Sequence, residues 1–342
     1  MENFLGIDIG DNSIKVASFH KEKEMIFLDV IGETRIPSVN WKGDNNDEKV
    51  TIEIAEKLKS LLVELKVKEK QVVSCISEDN VISRLVKLPP MSDNEIKDAL
   101  TYEAETFVPF PLNEVSIDYE IVERDDSGKI TLFAIAAKNS VVNNYIKLFK
   151  LADLQVLALE TPPISIKRLI RSTVSDKVAV MVVDVGDKFS NIMTIDNGNV
   201  FFTRAVSVGG EAMTRAVSIN LGLDMASAEE YKRAYGMDES KFEGKIKSAI
   251  VPVFSSLVEE IRRAMTMFKE ERHKNVELIV LVGGGAGMPG LAGELTKITG
   301  IEVQVIQPFL RIDCSKAILN IDLNTEGSKY ALAVGLGLRD LV

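Results

Sequence analysis

The chain has 342 residues, of which 46% are hydrophobic and 27% are charged, so it can build about two domains or one fold made of two halves. Its formal net charge is −10 and it contains no long run of Lys or Arg, which disfavours a nucleic-acid-binding protein. The two cysteines and two histidines do not stand at metal-ligand spacing, so a His/Cys metal site is not expected.

The chain begins with a strand-like segment and shows neither a basic region nor a cleavage site, so we expect no signal peptide. Its longest apolar runs, such as VAVMVV and ELIVLVGGG, are too short to span a bilayer. We therefore expect a cytoplasmic protein without direct membrane insertion.

Residues 1–83 are predicted to form the N-terminal part of a first lobe. The predicted strands are Phe4–Ile9, Ser13–Phe19 and Met25–Ile31. After a polar loop at 40–49, the apolar spacing of 52–65 is typical of a helix, and 71–76 predicts a strand.

Residues 84–157 show a different pattern, strand–helix–strand–strand–helix–strand, which could fold as a small inserted α+β subdomain. Its first helix has Ser92 as N-cap and Glu95 three residues on, a capping box. Residues 158–176 then predict a connecting helix of the first lobe.

The opening pattern returns at Lys177, which begins a second lobe over 177–325. Three strands are predicted at 178–185, 191–195 and 200–207, and the turn DNGN between the last two favours a hairpin. An outer helical subdomain follows at 209–271, then a strand, a helix and a strand. A closing helix at 326–342 returns to the first lobe. The sequence therefore predicts an internal duplication.

Each repeat places a carboxylate inside an apolar strand and a glycine two residues later: Asp8 with Gly10, and Asp184 with Gly186. Burying a carboxylate costs on the order of several kcal/mol unless a cation or water offsets it. Glycine lets backbone N–H groups approach an anion closely. Two such turns facing each other predict a site for a metal-chelated polyphosphate. The alternative is that each turn is only a strand end and a bend. Lys15, in the strand after the first turn, would point back toward the phosphates as a charge partner. The alternative for Lys15 is a solvated strand lysine.

A third glycine-rich segment is LIVLVGGGAGMPGL, in which a buried strand ends at Gly283, Gly284 and Gly285. These glycines permit close approach of the backbone to a flat or anionic ligand group. The chain lacks the GxxxxGK[ST] loop, and this segment alone is a weak signal.

Together the three segments resemble the actin and heat-shock-chaperone ATPase superfamily. GIDIGDNSIKV resembles its first phosphate loop, VVDVGDKFSNI its second, and VLVGGGAGMPGL its adenosine motif. The resemblance implies an α/β fold of duplicated ribonuclease-H-like lobes around a cleft for ATP and Mg²⁺. It implies that Asp8 and Asp184 act mainly through metal-bound water. Residues implied near the phosphates are Gly10, Asn12, Ser13, Lys15 and Gly186.

Two further stretches resemble this superfamily. SVGGEAMTRAV places Gly209 and Gly210 at the turn that leads from the second hairpin into the outer subdomain. VEEIRRAMTMF has the spacing that the chaperones use for ribose and adenine, at Glu259, Arg262, Arg263 and Thr266. The alternative for these four residues is the charged face of an amphipathic helix.

The insert resembles those of the division protein FtsA and of PilM, the type IV pilus assembly protein. LPPMSDNEIKDALTYEAETFVPFPLNEVSIDYEIV and the final SKYALAVGLGLRDL favour the PilM family. FtsA continues into a linker and a C-terminal amphipathic membrane helix, whereas this sequence stops after the closing helix, so we expect PilM rather than FtsA.

The PilM family implies a protein that captures the N-terminal tail of the inner-membrane protein PilN and links the membrane platform to the cytoplasmic motor. The motor ATPase, the platform protein and a second copy are further implied partners. The tail would lie extended in a groove between the insert and the first lobe. The expected lining is Leu88, Leu100, Tyr102, Phe107, Val108 and Phe110, and the alternative for each is ordinary core of the insert.

Glu160, in VLALETPPISI, occurs where the superfamily carries a residue that places the attacking water. It could equally be an acid at a helix N-terminus, with Thr161 as cap. No base that would activate a sugar hydroxyl is indicated. We expect ATP to act as a conformational ligand, hydrolysed slowly if at all. The alternatives are an FtsA-like polymerising, membrane-tethered protein or a small-molecule kinase of this fold.

Overall fold

The computed structural model describes residues 4–36 and 47–342, so most of the polar loop predicted at 40–49 lies outside the described residues. The strands are β1 (Phe4–Ile9), β2 (Ser13–Glu22), β3 (Met25–Arg35), β4 (Gln71–Cys75), β5 (Val81–Leu88), β6 (Val115–Arg124), β7 (Ile130–Lys138), β8 (Gln155–Glu160), β9 (Val180–Val185), β10 (Ser190–Asp196), β11 (Asn199–Val206), β12 (Leu278–Val282), β13 (Glu302–Val305), β14 (Ile312–Asp313) and β15 (Ile318–Leu319). The helices are α1 (Glu48–Glu64), α2 (Asp93–Ala104), α3 (Asn139–Leu151), α4 (Pro162–Thr173), α5 (Gly210–Leu221), α6 (Met225–Tyr235), α7 (Lys245–Arg272), α8 (Leu291–Thr299), α9 (Leu323–Glu326) and α10 (Ala331–Gly337).

The first lobe is built on a seven-stranded sheet of order β14-β3-β2-β1-β4-β8, with β15 also paired to β3. Helices α1 and α3 cover one face, where Leu58 and Leu148 pack against Leu5 and Ile7. Helix α10 lies on the other face. A Cβ added to Gly6 would overlap the Gly337 nitrogen and lie 2.9 Å from Gly337 Cα, so glycine lets α10 rest directly on β1.

The second lobe repeats the opening hairpin in a five-stranded sheet of order β11-β10-β9-β12-β13. Asp8 is paired with Lys15 across β1 and β2, and Asp184 with Asn191 across β9 and β10. The turns match as well, since the Gly10 N–H donates to the Ser13 carbonyl at 2.8 Å and the Gly186 N–H to the Phe189 carbonyl at 3.1 Å. The predicted duplication is confirmed, and it brings one acid and one glycine to the same place in each lobe.

The insert is a three-stranded sheet of order β5-β7-β6 with α2 on one face. The predicted capping box is present, and the Ser92 N–H donates to the Glu95 carboxylate at 2.9 Å. The predicted span of 84–157 differs from the sheet topology at its C-terminal end. Strand β8 runs parallel to β4 in the first sheet, and Tyr145 of α3 is buried in the first lobe's core. The spatially separate unit therefore ends with β7.

Helices α5, α6 and α7 follow the second hairpin, in the region of 209–271 that the sequence predicts as an outer subdomain. The DNGN turn has positive φ at Asn197 (48°) and Gly198 (73°), as its hairpin type requires. Across residues 4–36 and 47–342, no helix combines the length and apolarity needed to cross a bilayer.

Candidate functional site

The two acidic hairpins meet face to face. The side-chain amide of Asn12, in the first turn, donates to Asp187 Oδ2, in the second turn, at 2.6 Å. Behind this contact, Lys15 Nζ lies 3.2 Å from Asp8 Oδ2, and both side chains are largely buried. Burial alone would lower the pKa of Lys15, but the negative charges of Asp8, Glu33 and Asp184 raise it. Lys15 is therefore a firmly charged ammonium between the carboxylates of both lobes.

The mouth of this site carries excess negative charge. The pKa of Asp187 is raised, first by burial and then by repulsion from Asp11 and Glu211, although Asn12 donates to its carboxylate. Among residues 4–36 and 47–342, no group of three His, Cys, Asp or Glu side chains is arranged to hold a metal ion. Mg²⁺ bound to a nucleotide needs only one or two carboxylates besides phosphate oxygens and water. Asp8 and Asp184 fit that donor set.

The third glycine loop packs against the second hairpin. A Cβ added to Gly283 would overlap Asp184 Oδ1, and the Gly285 N–H donates to the Val185 carbonyl at 2.9 Å. A Cβ on Gly284, by contrast, would meet nothing within 4 Å. The loop thus fixes the Asp184 carboxylate and presents open backbone at Gly284.

The Gly209–Gly210 turn is fastened to the same hairpin. The Gly210 N–H donates to the Gly186 carbonyl and the Glu211 N–H to the Asp187 carbonyl, both at 2.9 Å. A Cβ on Gly209 would overlap the Asp187 carbonyl oxygen. Helix α5 therefore begins directly at the second turn, where the positive end of its dipole favours an anion.

Lys232, on α6, belongs to this site and was not predicted from the sequence. Its ammonium donates to the Gly210 carbonyl at 3.0 Å and to Thr214 Oγ1 at 2.8 Å, and it pairs with Glu229 at 2.6 Å. The end of α6 is also tied to the third loop, because the Met237 N–H donates to the Pro289 carbonyl at 2.7 Å. The stretch AEEYKRAYG, a Glu-x-x-Lys pair before a helix-ending glycine, marks the end of the helix but does not distinguish Lys232 from a solvated lysine.

The four side chains predicted to hold ribose and adenine lie on the exposed face of α7. Arg263 pairs with Glu260 at 2.7 Å, and the Thr266 hydroxyl donates to the Arg262 carbonyl at 3.0 Å. Glu260 in turn pairs with Arg204 of β11 at 3.0 Å. The hydrogen bonds and ion pairs in the described part of the chain connect none of the four side chains to the glycine turns, and their nucleotide role stays a prediction.

Glu160 is held by two arginines. Arg168 of α4 donates two hydrogen bonds to its carboxylate, at 2.8 and 3.1 Å, and Arg339 donates a third at 2.8 Å. The Glu160 side chain is only 6% exposed. These contacts anchor α4 and the end of α10 to β8, and the predicted role in placing water stays a prediction.

The residues predicted to line a peptide groove fall into two groups. Leu88, Leu100 and Val108 are buried in the core of the insert, as their alternative interpretation has it. Tyr102 is 76% exposed. Phe107 and Phe110 are half-buried, and each has a cation over its ring: Arg84 at 5.4 Å and Lys138 at 4.1 Å. The aromatic members are thus the ones with exposed surface, and their role in a groove stays a prediction.

Two related lobes, opposed acidic hairpins and a third glycine loop define a protein of the actin-like fold. The crystal structure of MreB5 of Spiroplasma citri bound to ADP shares this fold, with a TM-score of 0.54 and 11% identity over 100% of this chain and 97% of that one. The cell division protein FtsA of Streptococcus pneumoniae is 24% identical, covering 89% of this chain and 75% of FtsA.

A solved PilM–PilN type IV pilus biogenesis complex is far more similar in structure. It gives a TM-score of 0.85 at 25% identity over 98% of both chains. The family model of the type IV pilus assembly protein PilM matches residues 6–341. The chain belongs to this family, which confirms the assignment predicted from the sequence.

Proposed function

We propose that this protein binds ATP and Mg²⁺ between its lobes and captures the N-terminal tail of PilN at the cytoplasmic face of the inner membrane. The observation that carries the nucleotide proposal is the opposition of the two hairpins, joined from Asn12 to Asp187 at 2.6 Å. The match to a PilM–PilN complex over 98% of the chain supports the partner.

The phosphates would lie between the two turns, close to the Lys15 ammonium and the N-terminus of α5. Asp8 and Asp184 would hold Mg²⁺ through water, and the ion would neutralise phosphate charge against the acidic mouth. The open backbone at Gly284 would take the nucleoside, beside the turn that Lys232 holds through the Gly210 carbonyl. The ADP-bound MreB5, which shares the fold, supports the binding of an adenine nucleotide.

The PilN tail would bind as an extended peptide between the insert and the first lobe, with apolar side chains against Tyr102, Phe107 and Phe110. This contact would hold the protein at the inner membrane without a membrane segment of its own. The motor ATPase and the platform protein are the further partners in this arrangement. The protein would thereby link the membrane platform to the motor.

ATP acts in this proposal as a conformational ligand with slow hydrolysis at most. Placing an attacking water requires a free polar group beside the terminal phosphate. Glu160 is committed to Arg168 and Arg339, at 2.8 Å each.

Calorimetric titration with ATP and Mg²⁺, followed by a synthetic peptide copying the PilN tail, tests both parts. Asp8→Ala should weaken Mg²⁺-dependent ATP binding by about tenfold or more, that is, about 1.4 kcal/mol. Asp126→Ala, in the exposed hairpin of the insert, is the matched control. Equal ATP binding by Asp8→Ala and the control contradicts the metal assignment. Failure of the peptide to bind contradicts the PilN assignment and leaves the nucleotide site intact.

A further inference from the structure

The insert belongs to the first lobe in sequence but packs against the second lobe in space. Val122 of β6 and Phe133 of β7 are buried in one core with Val200 and Phe201 of β11 and with Leu169 of α4. The opposite face of the insert's sheet is covered by its own helix α2. Since β11 is the edge of the second sheet, the insert covers an edge that would otherwise be exposed.

Arg272, the last residue of α7, joins the insert to the second lobe. Its Nη1 donates to both carboxylate oxygens of Glu123 on β6 at 3.0 Å, and its Nε donates to Asp196 of β10 at 3.1 Å. The guanidinium also lies 4.0 Å above the ring of Phe201. Asp196 is 1% exposed, so Arg272 is anchored within the second lobe by a buried, charge-assisted hydrogen bond, while the Glu123 side chain on the insert is 38% exposed. We call these four residues the Arg272 clasp.

Further polar contacts follow the same interface. Lys87 of β5 pairs with Glu271 at 2.9 Å. The Asn199 side chain donates to the Val122 carbonyl at 2.8 Å. Lys167 pairs with Glu120 of β6 and lies on α4, the connecting helix whose Leu169 packs with Phe201 of β11. The partners are spread along the insert's sheet, so the insert is fixed in orientation as well as position.

Towards the first lobe, the insert is connected by two chain segments, at 76–81 and 138–139. Glu78 lies in the first of these segments and is 8% exposed. It accepts hydrogen bonds from Ser83 of β5 at 2.6 Å and from Thr203 of β11 at 3.0 Å. The chain connection to the first lobe thus consists of short segments, beside which Ala137 of β7 packs with Val141 of α3 in the first lobe's core. Even at 76–81, the buried Glu78 side chain holds β5 to the second lobe.

We propose that the Arg272 clasp makes the insert move with the second lobe. Closure of the lobes around a nucleotide then changes the groove between the insert and the first lobe. Because the partner tail binds in that groove, closure changes the affinity for the tail. The inference rests on the proposed function. A nucleotide whose Mg²⁺ is held by Asp8 of one lobe and Asp184 of the other binds the closed arrangement better. This difference in affinity between the two states is what a shift of state requires. The effect is reciprocal, so the tail changes the affinity for ATP by the same factor.

The test is the affinity of the PilN-tail peptide for the full-length protein with and without saturating ATP and Mg²⁺. We expect the wild-type protein to show a change of about fivefold or more, in the usual range of allosteric coupling. Glu123→Gln and Arg272→Gln should each bring this factor towards one, while the affinity for ATP alone stays within about twofold of the wild type. Asp126→Asn, on the exposed hairpin of the insert, should keep the full factor.

Glu123→Gln is the primary variant, because it leaves Asp196 paired with Arg272 and Lys274. Hydrogen exchange gives a second readout: ATP should alter exchange at 76–81 and 138–139 in the wild type and much less in Glu123→Gln. An unchanged coupling factor in a folded Glu123→Gln protein overturns the inference, and so does a wild type that binds both ligands without coupling. If the wild type fails to bind ATP or the peptide at all, the proposed function itself fails.

Discussion

Replacing Gly283 by alanine tests how the third glycine loop holds the second hairpin. Gly283 has φ +87°, a left-handed conformation that costs a residue with a Cβ about 1–2 kcal/mol. The new Cβ would also overlap Asp184 Oδ1 and lie 2.8 Å from the Val185 carbonyl oxygen, and overpacking of this kind costs about 1–3 kcal/mol. Together the two effects should lower the free energy of unfolding by about 2–5 kcal/mol.

The same substitution should weaken ATP binding, because the Asp184 carboxylate must move away from the loop. Denaturant unfolding with and without ATP and Mg²⁺ measures both effects. A ligand present at 100 times its Kd adds about 2.7 kcal/mol of stability, and Gly283→Ala should lose much of this increment. Gly287→Ala is the matched control, since its Cβ would meet nothing within 4 Å. Wild-type stability and wild-type ATP binding in Gly283→Ala would refute the packing of Asp184 against this loop.

Burial raises the pKa of Glu78 above its ordinary value of 4.5, so the unfolded state loses this proton first and the wild type loses stability as the pH rises above 4.5 towards the folded-state pKa. Glu78→Gln should therefore gain stability relative to the wild type over that rise in pH, and a pH-independent difference in denaturant unfolding contradicts this. Glu160→Ala should lower the free energy of unfolding by about 2–4 kcal/mol, because it leaves two partly buried arginines without their anion. An unchanged free energy of unfolding together with reduced ATP turnover would instead support a role in catalysis. Lys232→Ala should weaken ATP binding in calorimetry because it releases the Gly209–Gly210 turn. The control is Arg233→Ala, which should keep the wild-type affinity because the Arg233 side chain is 72% exposed. Equal ATP affinities of the two variants would exclude Lys232 from the site.

The acidic hairpins could be predicted because their signal is local. Asp8 and Asp184 each interrupt an apolar strand, and a glycine follows at the same distance. Strand alternation fixes which residues share a face, so the pairing of Asp8 with Lys15 follows from a short turn. The repeat of the pattern then places two such sites in one fold.

Lys232 could not be predicted in the same way. Its partners are the carbonyl of Gly210 and the hydroxyl of Thr214, which belong to another helix. A lysine in a charged helical stretch has the same local pattern whether it faces water or a buried carbonyl. Only the packing of α6 against α5 distinguishes the two.

The C-terminal end of the insert could not be located from the sequence for a related reason. The helix and strand after β7 have an ordinary amphipathic pattern, which predicts their type but not the sheet they join. β8 completes the first sheet by pairing with β4, a strand far from it in the chain. The strands β14 and β15 are two residues each, too short for a periodic signal.

The contact between Gly6 and Gly337 also bears on how the protein is made. The face of β1 that carries Gly6 is covered by α10, which is translated after both the insert and the second lobe. The second lobe and the insert can pack earlier, since domains fold as units during translation. The lobe that is translated first is therefore completed after the second lobe. A nascent chain that still lacks α10 would leave the apolar face of the first sheet exposed to chaperones.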